Sequence, residues 1–131
     1  FRERDAATAS AARVQYGILQ RSVARLARAG PRIALGSDTG TQDHPFGYTD
    51  HRELERFVDA GMTPMQALVA ATRHGADYLR LKDEGVLAPG ARANFIVLDA
   101  NPLERISHTQ QIAAVVVDGL RSPGLTILGN P

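Results

Sequence analysis

Asp38 is the residue in this sequence best placed to do chemistry. It closes a short apolar run, Ile33-Ala34-Leu35, and sits within Gly36-Ser37-Asp38-Thr39-Gly40, where the two glycines permit close backbone approach. Burying a carboxylate at a strand end is costly unless a metal, a cation or hydrogen bonds compensate. Such a carboxylate suits metal ligation or proton transfer. The plainer alternative is an Asx-type turn that ends the strand. Four histidines follow: His44, His51, His74 and His108. None forms the His-x-His of a strand or the four-apart pair of a helix that places two rings on one metal. His44 and His51 lie in or just after the loop beyond Asp38, so both are candidates to contact a substrate in the same pocket. His74 reads as a cap or surface group, and His108 and Asp43 as solvated loop residues. Ser37 stands one place too early for a Gly-x-Ser-x-Gly elbow, and no phosphate loop or dinucleotide fingerprint occurs. The chain contains no Cys, which excludes disulfides, thiolate zinc sites and Cys nucleophiles.

These residues need elements to position them. Arg4 to Ala29 is Ala- and Arg-rich and free of Pro, with Val14, Ile18, Val23 and Leu26 at roughly helical spacing; it predicts one amphipathic helix with a basic outer face. Ile33-Ala34-Leu35 predicts a buried strand running into a polar turn, and residues 41–49 a loop. Asp50 and Glu53 predict a capping box for a helix from His51 to about Ala60, closed by Gly61. Thr63-Pro64-Met65-Gln66 opens another helix with Thr as N-cap, and a third covers Gly75 to Leu81. Beyond Asp83 the pattern changes to Val- and Ile-rich strands bounded by Gly, Pro and Asp: Gly85–Gly90, Ala93–Asp99 and Ile112–Val117. The strand at 33–35 has no partner in the first 85 residues, yet its backbone groups need partners. That points to partner strands upstream.

Composition narrows the class. In 131 residues, 15 basic and 14 acidic side chains leave a net charge of +1, so bulk charge points to no polyanion, and the arginines of the first helix read as a solvated face. Hydrophobic content of 44% and charged content of 22% are those of a globular domain. No apolar run approaches the roughly 20 residues of a membrane span. A complete α/β barrel, typically about 250 residues, does not fit. The chain begins at Phe1 rather than Met, which suggests a piece of something longer.

Two resemblances compete for Asp38. Asp38-Thr39-Gly40 after apolar residues resembles the catalytic triplet of retroviral-type aspartic proteases, which dimerise to bring two Asp together, and Ile127-Leu128-Gly129-Asn130 resembles their second motif. That family is nearly all β, whereas about forty residues between the two motifs read as helix, with two capping boxes. The broader resemblance is to the metal-dependent amidohydrolase superfamily. Ile33-Ala34-Leu35-Gly36-Ser37-Asp38 resembles its eighth barrel strand. His51-Arg52-Glu53-Leu54 and Ala60 to Leu68 resemble the helices that follow, and Ala71-Thr72 through Ala76 and Leu79 the stretch after them. Gly85 to Asp99, Asn101-Pro102-Leu103 and Val115 to Gly119 resemble the return into the family's small β-sandwich. Imidazolonepropionase-related and Xaa-Pro dipeptidase-like amidohydrolases are the subgroups most similar. Asn94 stands where the family usually has Asp, a change expected to be structural and mild.

The resemblance implies an α/β fold: the C-terminal end of a (β/α)8 barrel over residues 1–84, part of a composite β-sandwich over 85–122, and a tail at 123–131. It implies a metal-dependent hydrolase of amide, cyclic amide or dipeptide C–N bonds, with Asp38 both metal ligand and catalytic residue and His44 or His51 touching substrate. The cofactor it implies is a divalent metal, zinc by preference, as one or two ions. The family's other ligands, a His-x-His, a bridging Lys or Glu and two later His, are absent from this sequence. The partners implied are a small-molecule substrate and the N-terminal part of the same chain, with a homo-oligomer compatible and neither nucleic acid nor membrane expected; the setting expected is cytoplasmic. Alone, the chain is expected to be inactive, and the competing non-enzyme reading is a truncated interaction or assembly domain.

Overall fold

The computed structural model describes residues 2–40 and 45–122. A long first helix, α1 (Arg2–Ala29), leads into an extended segment, then three helices, α2 (Tyr48–Asp59), α3 (Pro64–Ala71) and α4 (Arg73–Tyr78). Strands β1 (Phe95–Leu98), β2 (Ile112–Val117) and β3 (Leu120–Arg121) follow, with a 3-10 turn at Ile106–Gln110 between β1 and β2. The helical and strand halves of the sequence reading are thus both present.

Each helix ends where local chemistry dictates. Thr63 caps α3: its side chain accepts from the Gln66 backbone while the Gln66 side chain accepts from the Thr63 N–H at 2.8 Å, and Pro64 follows in the first turn. At the end of α2, Gly61 (φ 98°) donates to the Val58 carbonyl and Met62 to that of Phe57, a Schellman closure that uses the left-handed freedom of glycine. The same closure ends α4 with Arg80 (φ 60°) in the glycine position, its neighbour Leu81 donating to Ala76.

Two expectations about helices change. The Asp50/Glu53 capping box does not form; α2 begins earlier, with Gly47 at its N-cap and no side-chain cap bond. Thr49 instead closes the entry by donating both its N–H and its hydroxyl to the Pro45 carbonyl. Asp50 and Glu53 therefore lie inside the helix and are free to reach sideways. On α1, Val14, Ile18 and Leu26 are exposed, and only Val23 and Ala27 pack against the core. Among the described residues, nothing covers the rest of that stripe.

The strand expected at 33–35 is extended but joins no ladder among the described residues. Gly85–Gly90 likewise forms bends and turns rather than a strand. The sheet that does form is an antiparallel meander in the order β1-β2-β3. Phe95 pairs with Val116 and Val97 with Ala114, but Leu98 pairs with Ile112, so Ala113 is the extra residue of a bulge. Asp118-Gly119 joins β2 to β3 with both residues at positive φ (50° and 77°), the two-residue hairpin that Asp-Gly favours. Asn94 Oδ1 accepts the Asp118 N–H at 2.7 Å, the same acceptor that an Asp would present, which explains why Asn is tolerated there. Arg92 lies within 3.7 Å of Asp83, Glu84 and Asp118 and gathers the entry to the sheet.

Leu54 and Phe57 of α2, Met62, Ala67 and Ala70 of α3, and Ile106 of the 3-10 turn form the core. Ala67 is 0% exposed and Ala70 1%, so at these two positions α3 meets its neighbours with nothing larger than a methyl, while Leu68 packs against the same core. Ile106 brings the turn before β2 into the helical core, and the two halves share one interior.

Two substitutions test this account. Thr63→Ala removes one half of the capping box and is expected to cost about 1 kcal/mol, read as a lower urea midpoint at unchanged slope. Gly85→Ala is expected to cost more, about 2–4 kcal/mol, because a left-handed backbone and overpacking coincide there. Gly85 has φ 79°, and an added Cβ would come 2.8 Å from Ala76 Cβ and 2.9 Å from the Thr72 carbonyl.

Candidate functional site

Asp38 terminates the extended segment and carries φ 52°, a left-handed conformation uncommon for a residue with a side chain. Two other non-glycine residues share it, Arg80 and Asp118, and each belongs to a recognisable helix end or hairpin. Asp38 belongs to neither. Its carboxylate is exposed and has no hydrogen bond to any described residue.

The backbone leading to it is fastened point by point to the helices. His74 Nδ1 donates to the Ile33 carbonyl at 2.8 Å, and the Leu35 N–H donates to the Ala70 carbonyl at 3.1 Å. The Gly36 N–H then donates to Glu53 Oε1 at 3.4 Å, and the Ser37 hydroxyl to Asp50 Oδ1. Asp50 and Glu53 are three apart on α2, so both project from one helix face toward the segment. Burial raises the Glu53 carboxyl above its ordinary value; the Gly36 N–H opposes that and the nearby Asp50 charge adds to it. Glu53 Oε2 is buried with no partner among the described residues.

His51 lies on the same helix but is turned toward the 3-10 turn. Its Nδ1 is 3.0 Å from Thr109 Oγ1. Thr109, only 6% exposed, spends its own hydroxyl proton on the Ile106 carbonyl at 2.9 Å. It must therefore accept from His51, which makes Nδ1 the protonated nitrogen and leaves the lone pair on Nε2. Burial holds the His51 imidazole below its ordinary value, against the opposing charges of Asp50 and Glu55. His74 and His108 are half-buried rather than solvated, each with Nδ1 on a backbone carbonyl, those of Ile33 and Asn101. His44, Asp43 and Ile127–Asn130 lie outside the described residues.

Asp50 and Glu53 are the residues of this arrangement that sequence reasoning placed elsewhere. Their spacing was visible, but it fits a capping box equally well. The signal that separates the two readings is the Thr49 hydroxyl, which already satisfies the helix entry. Among the described residues no three His, Asp or Glu side chains come together as a metal-holding group. Asp38 fits one position in such a site: a hard oxygen donor, without a partner among the described residues, on a backbone fixed from the residues before it. An apolar cleft of about 220 Å³ between Pro31, Ile33, Met65 and His74 lies apart from Asp38.

The amidohydrolase family model matches residues 18–121. The chain belongs to the amidohydrolase family. The match runs from α1 to β3 and takes in Asp38, both anchoring carboxylates and the sheet. An imidazolonepropionase of Deinococcus deserti is 36% identical over 86 residues, 65% of this chain and 21% of that protein. A second imidazolonepropionase, of Streptomyces griseus, is 40% identical over 76 residues, or 58% of this chain and 20% of that protein. Among solved structures, a Xaa-Pro dipeptidase with methionine bound in its active site is similar at 33% identity with a TM-score of 0.71, covering 80% of this chain and 25% of that one. The amidohydrolase chain thus spans about a fifth to a quarter of the relatives it matches. The α2–α4 helices between Asp38-Thr39-Gly40 and Ile127-Leu128-Gly129-Asn130 do not fit a nearly all-β aspartic protease, and with the family match that reading falls.

The His51 environment carries a pH prediction. The folded state holds this imidazole neutral, so below the ordinary value of 6.5 the unfolded chain binds the proton more readily. The stability that neutral His51 confers is full above that pH and is lost as pH falls toward the folded pKa. Unfolding of the parent and of His51→Gln across pH 7.5 to 5.5 is expected to show a drop in the parent that the variant lacks.

Proposed function

We propose that this chain forms the C-terminal barrel segment and part of the small β-sandwich of a metal-dependent hydrolase that cleaves C–N bonds in small amides, cyclic amides or dipeptides. The observation that carries the reading is Asp38: a carboxylate with no partner among the described residues, in a strained conformation, at the end of an extended segment fixed by four hydrogen bonds, in a chain of this family. Non-glycine residues held at unfavoured φ and ψ cluster at active sites and ligand clamps. The names of the relatives, imidazolonepropionase and Xaa-Pro dipeptidase, supply the substrate class.

In this reading Asp38 is one ligand of a divalent ion, zinc by preference, in a site of one or two ions whose other ligands come from outside these 131 residues. When bound, such an ion lowers the pKa of water from about 15.7 to about 7 and so makes hydroxide available at neutral pH. The Asp38 carboxylate accepts a proton from the attacking water as its oxygen adds to the substrate carbonyl carbon. It then delivers that proton to the leaving nitrogen as the C–N bond breaks, giving a carboxylic acid and an amine. His51 has only Nε2 to offer a substrate, since Nδ1 is held by Thr109; it and His44 are the substrate contacts proposed from this segment. The partners in this reading are the substrate and the rest of the barrel, in a cytoplasmic protein with which a homo-oligomer is compatible.

Asp38→Asn in the full-length hydrolase keeps the shape of the side chain and removes its basicity. Assayed against a panel of Xaa-Pro dipeptides and imidazolone-type cyclic amides, it is expected to lower kcat by roughly 10²–10⁴-fold. Turnover within a few-fold of the parent would remove Asp38 from the chemistry. The 131-residue chain by itself is expected to hydrolyse none of the panel, since catalytic sites generally supply at least three protein ligands.

A further inference from the structure

Asp38 is the end of a lever, and two carboxylates of α2 grip it at the residues just before the tip. Glu53 Oε1 accepts the Gly36 N–H at 3.4 Å, and Asp50 Oδ1 accepts the Ser37 hydroxyl. The other two fastenings, from His74 and Ala70, act further back at Ile33 and Leu35. Rotation about the backbone at 36 and 37 would swing the Asp38 carboxylate, so the two α2 carboxylates control the degrees of freedom that matter most to it.

Glu53 is poorly suited to serve stability alone. Its second oxygen, Oε2, is buried and meets no described partner. A buried acceptor left unpaired is costly, and an apolar side chain of similar size in the same place avoids that cost. We propose that Glu53, together with Asp50 acting through Ser37, is a positioning residue that holds Asp38 in its left-handed conformation for metal ligation. This rests on the reading of Asp38 as a metal ligand. Neither carboxylate touches the ion; each acts through the backbone or hydroxyl of a neighbour.

The test separates grip from stability, using the full-length hydrolase stripped of metal and titrated with Co²⁺ alone while its visible absorption is followed. Four variants are compared with the parent: Glu53→Leu, Glu53→Gln, Ser37→Ala and Asp38→Asn. Removal of groups that orient metal ligands typically weakens metal affinity by about 10–100-fold. Glu53→Leu is expected to bind Co²⁺ at least about tenfold more weakly at an unchanged or higher Tm. Glu53→Gln retains a carbonyl acceptor for Gly36 and is expected to recover most of that loss. Ser37→Ala, which removes one hydroxyl, is expected to weaken Co²⁺ binding as well, and it keeps the question open to experiment if Glu53→Leu does not fold. Co²⁺ affinity within twofold of the parent in Ser37→Ala, or in a folded Glu53→Leu, overturns the proposal if Asp38→Asn weakens binding. If Asp38→Asn also binds Co²⁺ like the parent, the metal-ligand reading itself fails and takes the proposal with it.

Discussion

Everything at the candidate site depends on how an extended segment, with no β partner among the described residues, satisfies its backbone. Residues 33–37 carry polar groups that a sheet would ordinarily pair, and along one side they are met by the helices: a histidine on α4, the last turn of α3 and two carboxylates of α2. Side chains and helix ends replace a neighbouring strand on that side. Hydrogen bonds of this kind are individually modest, but they act in sequence along one short stretch and set its direction. The left-handed turn at Asp38 is then the place where the fixed direction ends and a carboxylate is presented.

Much of this arrangement was legible in the sequence, for reasons that differ by element. The Thr63 cap and the Gly61 stop were readable because each is decided by residues within a few positions of one another. The strands β1 and β2 were readable as Val- and Ile-rich runs between turn residues, whereas their pairing came only with the structure. Asp38 stood out because an apolar run ended on a charged residue. What escaped was lateral. Asp50 and Glu53 were assigned to their own helix end because sequence spacing cannot tell an acceptor for the local backbone from one for a segment 13 to 17 residues away. The 3-10 turn at Ile106–Gln110 escaped because its stability comes from Ile106 entering the core and from Thr109 meeting His51, both long-range contacts.

The histidines illustrate the same division. Three of the four are described, and each commits Nδ1 to a partner within the chain. Pattern alone left them as pocket-facing or solvated groups. In the structure, His74 and His108 brace carbonyls, and His51 ties α2 to the turn ahead of β2. In these three histidines Nδ1 serves architecture, and any further role falls to Nε2.

That tie between α2 and the 3-10 turn has a kinetic side. The helices touch neighbours close in sequence, whereas His51 and Thr109 are 58 residues apart, and the Glu55–Gln110 bond spans 55. Closing so long a loop loses chain entropy before the contacts can compensate. Contacts of this separation slow folding in proportion to their share of the structure. On contact separation alone, the pairing of the 3-10 turn with α2 is expected to form later than the turns and stops within the helices. One consequence is spatial: His51, which ties α2 to the 3-10 turn, lies between Asp50 and Glu53, so the β unit is anchored on the same stretch of helix that fastens the segment before Asp38.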